Sequence, residues 1–294
     1  MSKPIVAIVG RPNVGKSTLL NAIVGEKIAI ISKKPQTTRN RISGIFTTGE
    51  NQFVFLDTPG IHRPRTKLGE YMIKTAGETL GTSDAVLLVV EPHGAVGDIE
   101  KNIISQIKKA GIGAVLVINK TDVSSKAEIA ATIQAYAETF DFDAVVPISA
   151  KLKREVNTVI DECGRYLSES VWFFPEDAVT DMPERQIAAE IIREKLLRVL
   201  EQEIPHGTAV SIEDFSEDGE IVRIRAEIIC EKQSHKGIII GKKGETLKKI
   251  GTYAREDLES FLGTKVYLDL WVKVKENWRD SQARLNDFGY KVEK

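Results

Sequence analysis

Short apolar runs rich in β-branched residues recur along the first part of the chain, separated by amphipathic stretches. The runs are 5–9, 53–56, 85–90, 114–118 and 144–148, and the amphipathic stretches are 16–25, 66–82, 98–110, 125–140 and 153–169. Runs of this length and composition are typical of strands buried on both faces. Their alternation with helices predicts an α/β domain with a mostly parallel sheet and helices on both faces.

One segment departs from this alternation. Residues 41–48 and 51–56 are joined across Gly49 and Glu50, which predicts an antiparallel hairpin. The sheet is therefore expected to be parallel except at one edge.

The periodic pattern lapses between residues 172 and 184, where two prolines and four acidic residues occur without a sustained repeat. A chain of 294 residues is about twice the length of a typical domain. We therefore predict two domains, 1–172 and 185–294, joined by a linker at 173–184.

The region after this linker has a different order of elements. Helices are predicted at 185–203 and 245–262, with a short helix at the C-terminal end. Strands are predicted at 208–215, 221–230 and 266–274, and a glycine-rich break at 241–244 precedes the long helix. This order predicts an α+β domain.

Charge and cysteine content exclude several classes of protein. The formal net charge is −1, which argues against a histone-like polyanion binder. Cys163 and Cys230 are far apart in a chain with two cysteines, so neither a disulfide framework nor a zinc ribbon is expected. No run approaches the roughly 18 apolar residues of a membrane-spanning helix. We expect a cytoplasmic protein, with peripheral contact at the inner face of the cell membrane left open.

A phosphate-binding motif follows the first apolar run. Gly10-Arg11-Pro12-Asn13-Val14-Gly15-Lys16-Ser17 satisfies G-x-x-x-x-G-K-[ST] and leads into the first predicted helix. The glycines let backbone N–H groups face the β-phosphate at the positive end of the helix dipole. Lys16 supplies a point charge for the β- and γ-phosphate oxygens, and the Ser17 hydroxyl is a ligand for Mg²⁺.

Three further motifs end strands of the predicted sheet, where open α/β sheets bind ligands. Asp57-Thr58-Pro59-Gly60 offers a carboxylate that holds Mg²⁺ through water and a Gly60 N–H for the γ-phosphate. Asn119-Lys120-Thr121-Asp122 offers a carboxylate that accepts hydrogen bonds from N1–H and the exocyclic amine of guanine, whereas adenine has no matching donors. In Ser149-Ala150-Lys151, a backbone N–H is expected to contact the guanine O6.

These motifs together predict a site for GTP and GDP. The predicted nucleotide-binding residues are Gly10, Arg11, Pro12, Asn13, Val14, Gly15, Lys16, Ser17, Thr18, Asp57, Thr58, Pro59, Gly60, Asn119, Lys120, Thr121, Asp122, Ser149, Ala150 and Lys151.

The order of these motifs, with Gln36-Thr37-Thr38-Arg39-Asn40-Arg41 between the first and the second, resembles the Era family of bacterial GTPases. The resemblance implies an Era/TrmE-like GTP-binding domain of the translation-factor-like class over residues 1 to about 170. It also implies a threonine that binds Mg²⁺ only while the γ-phosphate is present, with Thr38 as the best match and Thr37 as the alternative. The implied Mg²⁺ ligands are Ser17, Thr38 and Asp57.

Residue 61 departs from Ras-like domains, which place a water-orienting glutamine there. Ile61 forms no side-chain hydrogen bond, so another group must position the attacking water. Related GTPases with this substitution use K⁺ held partly by the asparagine of the phosphate loop, here Asn13. We therefore expect K⁺-stimulated hydrolysis that is slow alone. His62 is interpreted as a solvated loop residue, and the predicted catalytic residues are Lys16, Thr38, Gly60 and Asn13.

A second glycine motif, Gly241-Lys242-Lys243-Gly244, precedes the long helix of the second domain. From Lys232 to Lys249 there are six lysines and one acidic residue, whereas 201–231 holds nine acidic residues and two arginines. A solvated lysine-rich helix face is the alternative interpretation, but segregation of this kind favours a nucleic-acid partner.

This loop and the order of elements around it resemble a type II KH domain, again as in the Era family. In KH domains such a loop clamps about four unpaired nucleotides. The predicted RNA-binding residues are Lys236, Gly237, Ile240, Gly241, Lys242, Lys243, Gly244 and Lys248. Trp271 and Trp278 are predicted to pack in the core rather than to stack on bases.

The resemblance implies a GTP-hydrolysing switch that binds small-subunit (16S) ribosomal RNA near its 3′ end and acts in assembly of the small ribosomal subunit. The implied partners are that RNA and that subunit, and a monomer is expected. Two alternatives stay open: a constitutive RNA-binding module whose GTPase domain only stabilises the fold, and a peripheral membrane GTPase.

Overall fold

The computed structural model describes residues 4–167 and 172–291. The chain divides into two compact units, one within Met1–Pro64 and Met72–Asp181 and the other within Arg65–Tyr71 and Met182–Lys294. Each unit has its own sheet and its own apolar core.

The sheet of the first unit confirms the predicted parallel arrangement. Its strands are β1 (Ile5–Val9), β2 (Ile42–Thr48), β3 (Asn51–Asp57), β4 (Ala85–Val90), β5 (Gly113–Ile118) and β6 (Ala144–Pro147). They lie in the order β2-β3-β1-β4-β5-β6, and among these described strands only β2 and β3 pair antiparallel. Strands β1, β4 and β5 are buried on both faces, which is why each is a continuous apolar run.

Helices cover both faces of this sheet. They are α1 (Lys16–Val24), α2 (Lys67–Gly81), α3 (Asp98–Ala110), α4 (Lys126–Ala137) and α5 (Val156–Cys163). One face, which includes Val9 and Leu88, packs against Ile103 and Ile107 of α3 and Tyr136 of α4. Helices α1 and α5 contact each other, and each also contacts strands of the sheet.

Local chemistry sets the helix limits that periodicity placed only approximately. A capping box begins α4, because Ser125 Oγ accepts from the Glu128 N–H at 3.2 Å while the Glu128 carboxylate accepts from the Ser125 N–H at 2.7 Å. Lys153 and Glu155 have φ values of 54° and 58°, so the helix predicted at 153–169 begins only at Val156. Residues 168 and 169 of that prediction lie outside the described residues.

Part of the segment predicted as a linker is bonded to β2. The Ile45 N–H donates to the Val179 carbonyl oxygen at 2.9 Å. The Thr180 hydroxyl donates to the Ser43 carbonyl oxygen at 2.7 Å. These bonds occupy the outer edge of β2, which would otherwise offer unpaired backbone groups.

The second unit is a three-stranded sheet covered by helices, as predicted. Its strands are β7 (Ala209–Asp218), β8 (Ile221–Cys230) and β9 (Lys265–Val274), and its helices are α6 (Glu184–Val199), α7 (Gln233–Ile240), α8 (Glu245–Leu262) and α9 (Gln282–Asp287). The sheet order is β7-β8-β9, with the first pair antiparallel and the second parallel. Its core joins Ile191 of α6, Ile224 of β8 and Leu258 of α8.

Candidate functional site

The loop between β1 and α1 is pressed against the neighbouring strand ends. Gly15 has a φ of 101°, and a Cβ there would lie 2.2 Å from Asn119 Nδ2. That nitrogen donates to the Val14 carbonyl oxygen at 2.8 Å. The loop after β5 therefore holds the phosphate loop from behind, and only glycine fits at position 15.

Lys16 is folded back across the phosphate loop. The residue is 5% exposed, and its Nζ donates to the carbonyl oxygens of Gly10 and Arg11 at 3.2 and 2.9 Å. Burial lowers the pKa of Lys16 to about 8, an effect that the Asp57 carboxylate opposes. Phosphate oxygens are stronger acceptors than these carbonyls, so Lys16 can exchange the loop contacts for phosphate contacts.

The three side chains predicted to bind Mg²⁺ converge at the end of β3. Ser17 Oγ lies 2.5 Å from Asp57 Oδ2 and 2.8 Å from Thr38 Oγ1. Thr38 Oγ1 lies 3.3 Å from the same carboxylate oxygen. Thr37 instead donates its hydroxyl to the Lys34 carbonyl oxygen at 2.7 Å. The structure therefore brings Thr38, and not Thr37, to Ser17 and Asp57.

Asp57 has the surroundings of a cation ligand. The residue is fully buried, and its Oδ1 makes no hydrogen bond within the part of the chain that the structure describes. Burial raises the pKa of Asp57 to about 6, against the opposing effects of Lys16 and of hydrogen bonds from Ser17 and Thr38. A buried carboxylate oxygen without a donor is costly unless a cation compensates it. These oxygen ligands therefore fit Mg²⁺.

Gly60 and Ile61 are fixed against the phosphate loop. A Cβ on Gly60 would lie 2.6 Å from Pro12 Cα, and the Ile61 N–H donates to the Gly10 carbonyl oxygen at 3.2 Å. The Ile61 side chain is 9% exposed and packs in the apolar core. Its position is therefore a packing position and not one that orients water.

His62 is partly exposed to solvent, and both of its ring nitrogens also have hydrogen-bonding partners. Its Nδ1 lies 2.8 Å from the Gly60 carbonyl oxygen, and its Nε2 lies 3.4 Å from Gln36 Nε2. Because a carbonyl oxygen only accepts, the proton lies on Nδ1 and Nε2 accepts from Gln36. The ring therefore joins the two loops that flank the γ-phosphate position.

Asn13 also joins two loops. Its backbone has a φ of 66°, and its Nδ2 donates to the Lys33 carbonyl oxygen at 2.9 Å. Within the described residues, Asn13 Oδ1 makes no hydrogen bond. An amide oxygen beside a backbone carbonyl is a pair of ligand types that suits a hard cation.

The base-side loops are tied together by their own side chains. Asn119 Oδ1 accepts from the Ala150 N–H at 3.0 Å, and Asp122 Oδ1 accepts from the Ser149 hydroxyl at 2.7 Å. The Thr121 N–H donates to the Ile148 carbonyl oxygen at 3.1 Å. These bonds hold the Asp122 carboxylate in one orientation before a base arrives.

A cavity of about 940 Å³ joins the phosphate and base sides. The predicted residues that line it are Pro12, Asn13, Gly15, Lys16, Ser17, Thr18, Thr38, Gly60, Asn119, Lys120, Asp122 and Lys151. Sequence reasoning missed the lining residues Ile30, Ile31, Ser32, Lys33, Gln36 and Val123. All of these except Val123, which ends a short 3₁₀ helix, lie in irregular loops, where no periodicity predicts them.

Two residues predicted to bind nucleotide direct their side chains elsewhere. Arg11 forms an ion pair with Glu100 beside a separate cavity of about 270 Å³. Thr58 is fully buried and donates its hydroxyl to the Ile8 carbonyl oxygen at 2.8 Å. Their side chains therefore support the site from behind.

The second glycine motif forms a tight turn between α7 and α8. Gly241, Lys243 and Gly244 have φ values of 74°, 52° and 81°. A Cβ on Gly241 would lie 2.2 Å from Thr246 Oγ1, whereas the space around Gly244 is open. Lys242 and Lys243 are exposed on this turn, so their charges face solvent beside an accessible backbone.

A groove of about 490 Å³ extends from this turn between α8 and β9. Its lining includes Gly244 and Lys248, two of the residues that the sequence predicts to bind RNA. The remaining lining residues, which sequence reasoning missed, are Leu247, Gly251, Thr252, Arg255, Val266, Tyr267, Leu268 and Leu270. Of these, Gly251, Thr252 and Arg255 follow Lys248 at the three-, four- and seven-residue spacing of one helix face, a signal that sequence reasoning can use.

The structure also places the two tryptophans predicted to pack in the core and Ile240, which is predicted to bind RNA. Trp271 is 62% exposed, so the prediction that it packs in the core is wrong, whereas Trp278 is fully buried as predicted. Ile240 packs against the apolar cluster that contains Ile239 and Ile250. Successive side chains of β9 point to opposite faces of the sheet, so Trp271 lies on the exposed face while its neighbour Val272 faces the core.

Both units match known families. A family described as "50S ribosome-binding GTPase" matches residues 5–120, and one described as "KH domain" matches residues 203–279. GTPase Era from Clostridium kluyveri is 50% identical over 287 residues, which are 97% of this chain and 98% of that protein. The chain belongs to the Era family of GTPases. GTPase Era from Ruminiclostridium cellulolyticum is likewise 50% identical over 291 residues, 98% of this chain and 97% of that protein.

Two solved Era structures share the fold over the length of the chain. A variant of Aquifex aeolicus Era bound to GDP·AlF4⁻ matches with a TM-score of 0.94 and 38% identity, over 99% of this chain and 100% of that one. Era in complex with MgGDPNP and nucleotides 1506–1542 of 16S ribosomal RNA matches with the same score, identity and coverage. The predicted fold class and the resemblance to the Era family are confirmed.

Among the described residues, the helices are either too short or too polar to cross a bilayer.

Proposed function

We propose that this Era-family protein is a GTP-hydrolysing switch that binds small-subunit 16S ribosomal RNA near its 3′ end and acts in assembly of that subunit. The main observation is the convergence of Ser17 and Thr38 on Asp57 Oδ2, beside a buried Asp57 Oδ1 that makes no hydrogen bond within the described residues, in a chain that also has the groove along α8. The Era complexes with MgGDPNP, GDP·AlF4⁻ and a 16S fragment support the assignment.

The nucleotide site performs GTP hydrolysis, in which water attacks the γ-phosphorus and GDP leaves. Mg²⁺ held by Ser17, Thr38 and Asp57 would neutralise charge on the β- and γ-phosphates. Lys16 moves its ammonium group from the loop carbonyls to the phosphate oxygens. The Gly60 N–H donates to the γ-phosphate.

Base selection belongs to the loops after β5 and β6. The Asp122 carboxylate, held by Ser149, accepts from guanine N1–H and the exocyclic amine. Adenine would leave that carboxylate without its base-side donors, which costs more than a poor apolar fit.

Hydrolysis without a partner is slow, because Ile61 packs in the core and does not position water. We propose that K⁺ held by Asn13 Oδ1, beside the Lys33 carbonyl oxygen, supplies additional positive charge at this position. Turnover is compared in Na⁺ and K⁺ buffers for wild type and Asn13→Ala. Stimulation by K⁺ that disappears in the variant supports the proposal, and equal turnover in all four conditions contradicts it.

RNA binding belongs to the turn at Gly241–Gly244 and the groove along α8. The exposed charges of Lys242 and Lys243 attract the phosphate backbone, and the open space at Gly244 permits close approach. Lys248 and Arg255 line the same groove and extend the positive charge along it.

The direct test is crosslinking of bound cellular RNA followed by sequencing, with and without a non-hydrolysable GTP analogue. The 3′ end of 16S ribosomal RNA is expected to be enriched with wild type and lost with Gly244→Asp, which puts bulk and negative charge into the clamp. Enrichment of unrelated RNA, or equal recovery with the variant, contradicts the proposal.

We further propose a monomer that acts in the cytoplasm, with limits near 1–172 and 185–294 for its two domains. The peripheral membrane GTPase stays a prediction. Flotation with anionic liposomes, competed by single-stranded RNA, shows whether the basic surface around Lys242 also binds lipid headgroups.

A further inference from the structure

Two basic residues of the nucleotide site have acidic partners from outside its motifs. Arg11 of the phosphate loop pairs with Glu100, and Lys120 of the loop after β5 pairs with Glu91. Both acids belong to the 91–100 segment, which runs from the end of β4 into the first turn of α3. One short segment therefore contacts the phosphate side and the base side of the cavity.

The ion pair between Arg11 and Glu100 includes one hydrogen bond. Arg11 Nη2 donates to Glu100 Oε2 at 2.5 Å, and Arg11 Nε lies 2.5 Å from Oε1 without forming a second hydrogen bond. The Glu100 side chain is 7% exposed and that of Arg11 is 41% exposed. A charge-assisted hydrogen bond to a buried carboxylate restricts the position of the guanidinium. Glu100 therefore fixes the direction in which Arg11 leaves the loop.

The backbone of Arg11 also contacts Lys16, because the Arg11 carbonyl oxygen accepts a hydrogen bond from Lys16 Nζ at 2.9 Å. The guanidinium also packs against the backbone of the 91–100 segment. A Cβ on Gly97 would lie 1.7 Å from Arg11 Nη2, so a larger residue at position 97 would displace the arginine side chain.

The pair between Lys120 and Glu91 supports the base side in the same way. Glu91 Oε1 contacts Lys120 Nζ, and its Oε2 lies 3.1 Å from His93 Nε2. Lys120 lines the nucleotide cavity and has a φ of 67°, a conformation that residues other than glycine adopt rarely. A side-chain partner helps to hold such a backbone.

The 91–100 segment is itself anchored. The Gly94 N–H donates to Thr132 Oγ1 of α4 at 2.9 Å. Ile103 and Ile107, which follow in α3, are fully buried in the core. Because the 91–100 segment is anchored through Gly94 and through α3, it can hold the phosphate loop and the base-side loop in a more precise position than those loops would keep alone.

We propose that Glu91 and Glu100 are positioning residues that set the separation between the phosphate loop and the base-side loop. Glu100 acts through Arg11 and Glu91 acts through Lys120. This inference rests on the proposed nucleotide site, because a nucleotide spans both loops and binds only if their separation matches its length. Neither acid takes part in the reaction itself, so each affects nucleotide affinity and not the chemical step.

The test uses Glu91→Gln and Glu100→Gln in the full chain. Each substitution keeps the shape of the side chain and removes its charge. For partly exposed ion pairs of this kind, the dissociation constant for GDP is expected to rise about three- to tenfold. The KM for GTP is expected to rise by a similar factor, while kcat stays within about twofold of the wild-type value. Displacement of a fluorescent GDP analogue and steady-state hydrolysis measure these quantities.

Glu78→Gln is the matched control. Glu78 pairs with Lys74 on the surface of α2 at 3.7 Å, far in sequence from the motifs, so the same isosteric change is expected to leave GDP affinity unaltered. Thermal unfolding of the nucleotide-free proteins separates positioning from stability, since a purely structural role lowers the melting temperature without changing KM relative to kcat.

A second substitution tests the route through Arg11. In an Arg11→Ala background, Glu100→Gln is expected to have no further effect on GDP affinity, because its partner is already gone. A full additive loss overturns the proposed route. Should Glu100→Gln fail to fold, Arg11→Lys tests the same pair, since lysine keeps the charge and loses the planar guanidinium that donates to Glu100.

The outcomes distinguish this inference from the function on which it rests. If wild type binds GDP and both glutamine variants bind it equally well, the positioning role is wrong and the nucleotide site stands. If wild type does not bind GDP, the proposed function is wrong and this inference falls with it.

Discussion

Replacing Gly60 by alanine is expected to remove most GTP hydrolysis while leaving GDP binding intact. A Cβ at this position would lie 2.6 Å from Pro12 Cα and from Pro12 N, both backbone-bound atoms of the phosphate loop. An ordinary van der Waals contact begins at 3.4 Å. The two segments must therefore separate by about 0.8 Å, the shortfall between those distances.

The segment at Gly60 will yield rather than the phosphate loop. The phosphate loop is held by Asn119 from behind and by Glu100 through Arg11. The displacement moves the Gly60 N–H away from the γ-phosphate position. Misplacement by about 1 Å can cost about 100-fold in rate, so we expect kcat to fall between about 10- and 100-fold.

Single-turnover hydrolysis measures the loss, and displacement of a fluorescent analogue measures GDP affinity, which should change less than about threefold because GDP has no γ-phosphate. Gly77→Ala is the control, since a Cβ at Gly77 meets nothing within 4 Å and lies in a helix that alanine favours. Wild-type hydrolysis by the Gly60 variant would refute the assigned role of this backbone.

Two further predictions concern the nucleotide site and a third concerns the two buried cysteines. Lys16→Ala should weaken GDP binding about 100-fold or more, because the charge-assisted contacts of Lys16 to phosphate are lost. RNA affinity, measured by filter binding, should stay unchanged. Loss of both GDP binding and RNA binding would contradict separate sites. Asp122→Asn should shift preference from GTP toward XTP in competition assays, since asparagine can donate to the xanthine 2-oxo group, and unchanged preference would contradict the base assignment. At about pH 8, Ellman's reagent should modify neither thiol of the native protein, because Cys163 and Cys230 are buried and burial raises the pKa of Cys163 to about 12; a fast reaction before unfolding would contradict this packing.

The sequence could predict that the motifs lie together because each ends a parallel strand, and the carboxyl ends of parallel strands meet at one sheet edge. That rule places Asp57 near Ser17 without any distance information. It does not choose between Thr37 and Thr38, because both lie in an irregular loop. The choice depends on the Thr37 hydroxyl donating to Lys34, a contact that only the folded loop reveals.

The supports of the site were not predictable for a different reason. Glu91 and Glu100 reach Lys120 and Arg11 across distances in sequence of 29 and 89 residues, and no motif contains either acid. In a chain with 42 acidic residues, pairing depends on packing that single-sequence patterns do not encode.

In the second unit, periodicity predicted the elements but not the exposed face of the outer strand. Trp271 was assigned to the core because large aromatic residues usually pack there, yet β9 leaves it on a face without a covering layer. The groove residues that follow Lys248 could have been predicted from the sequence, since Gly251, Thr252 and Arg255 lie on the same face of the helix as Lys248.

The measurement that tests the switch most directly is RNA affinity in the two nucleotide states. Fluorescence anisotropy with a labelled RNA ending in the 3′ sequence of 16S ribosomal RNA is run on the full chain, once with a non-hydrolysable GTP analogue and once with GDP. Coupling of at least about 1 kcal/mol, a factor of about five in the dissociation constant, is expected for a switch. Equal affinity together with equal shape in both states, measured by solution scattering, would contradict it and favour a constitutive RNA-binding module.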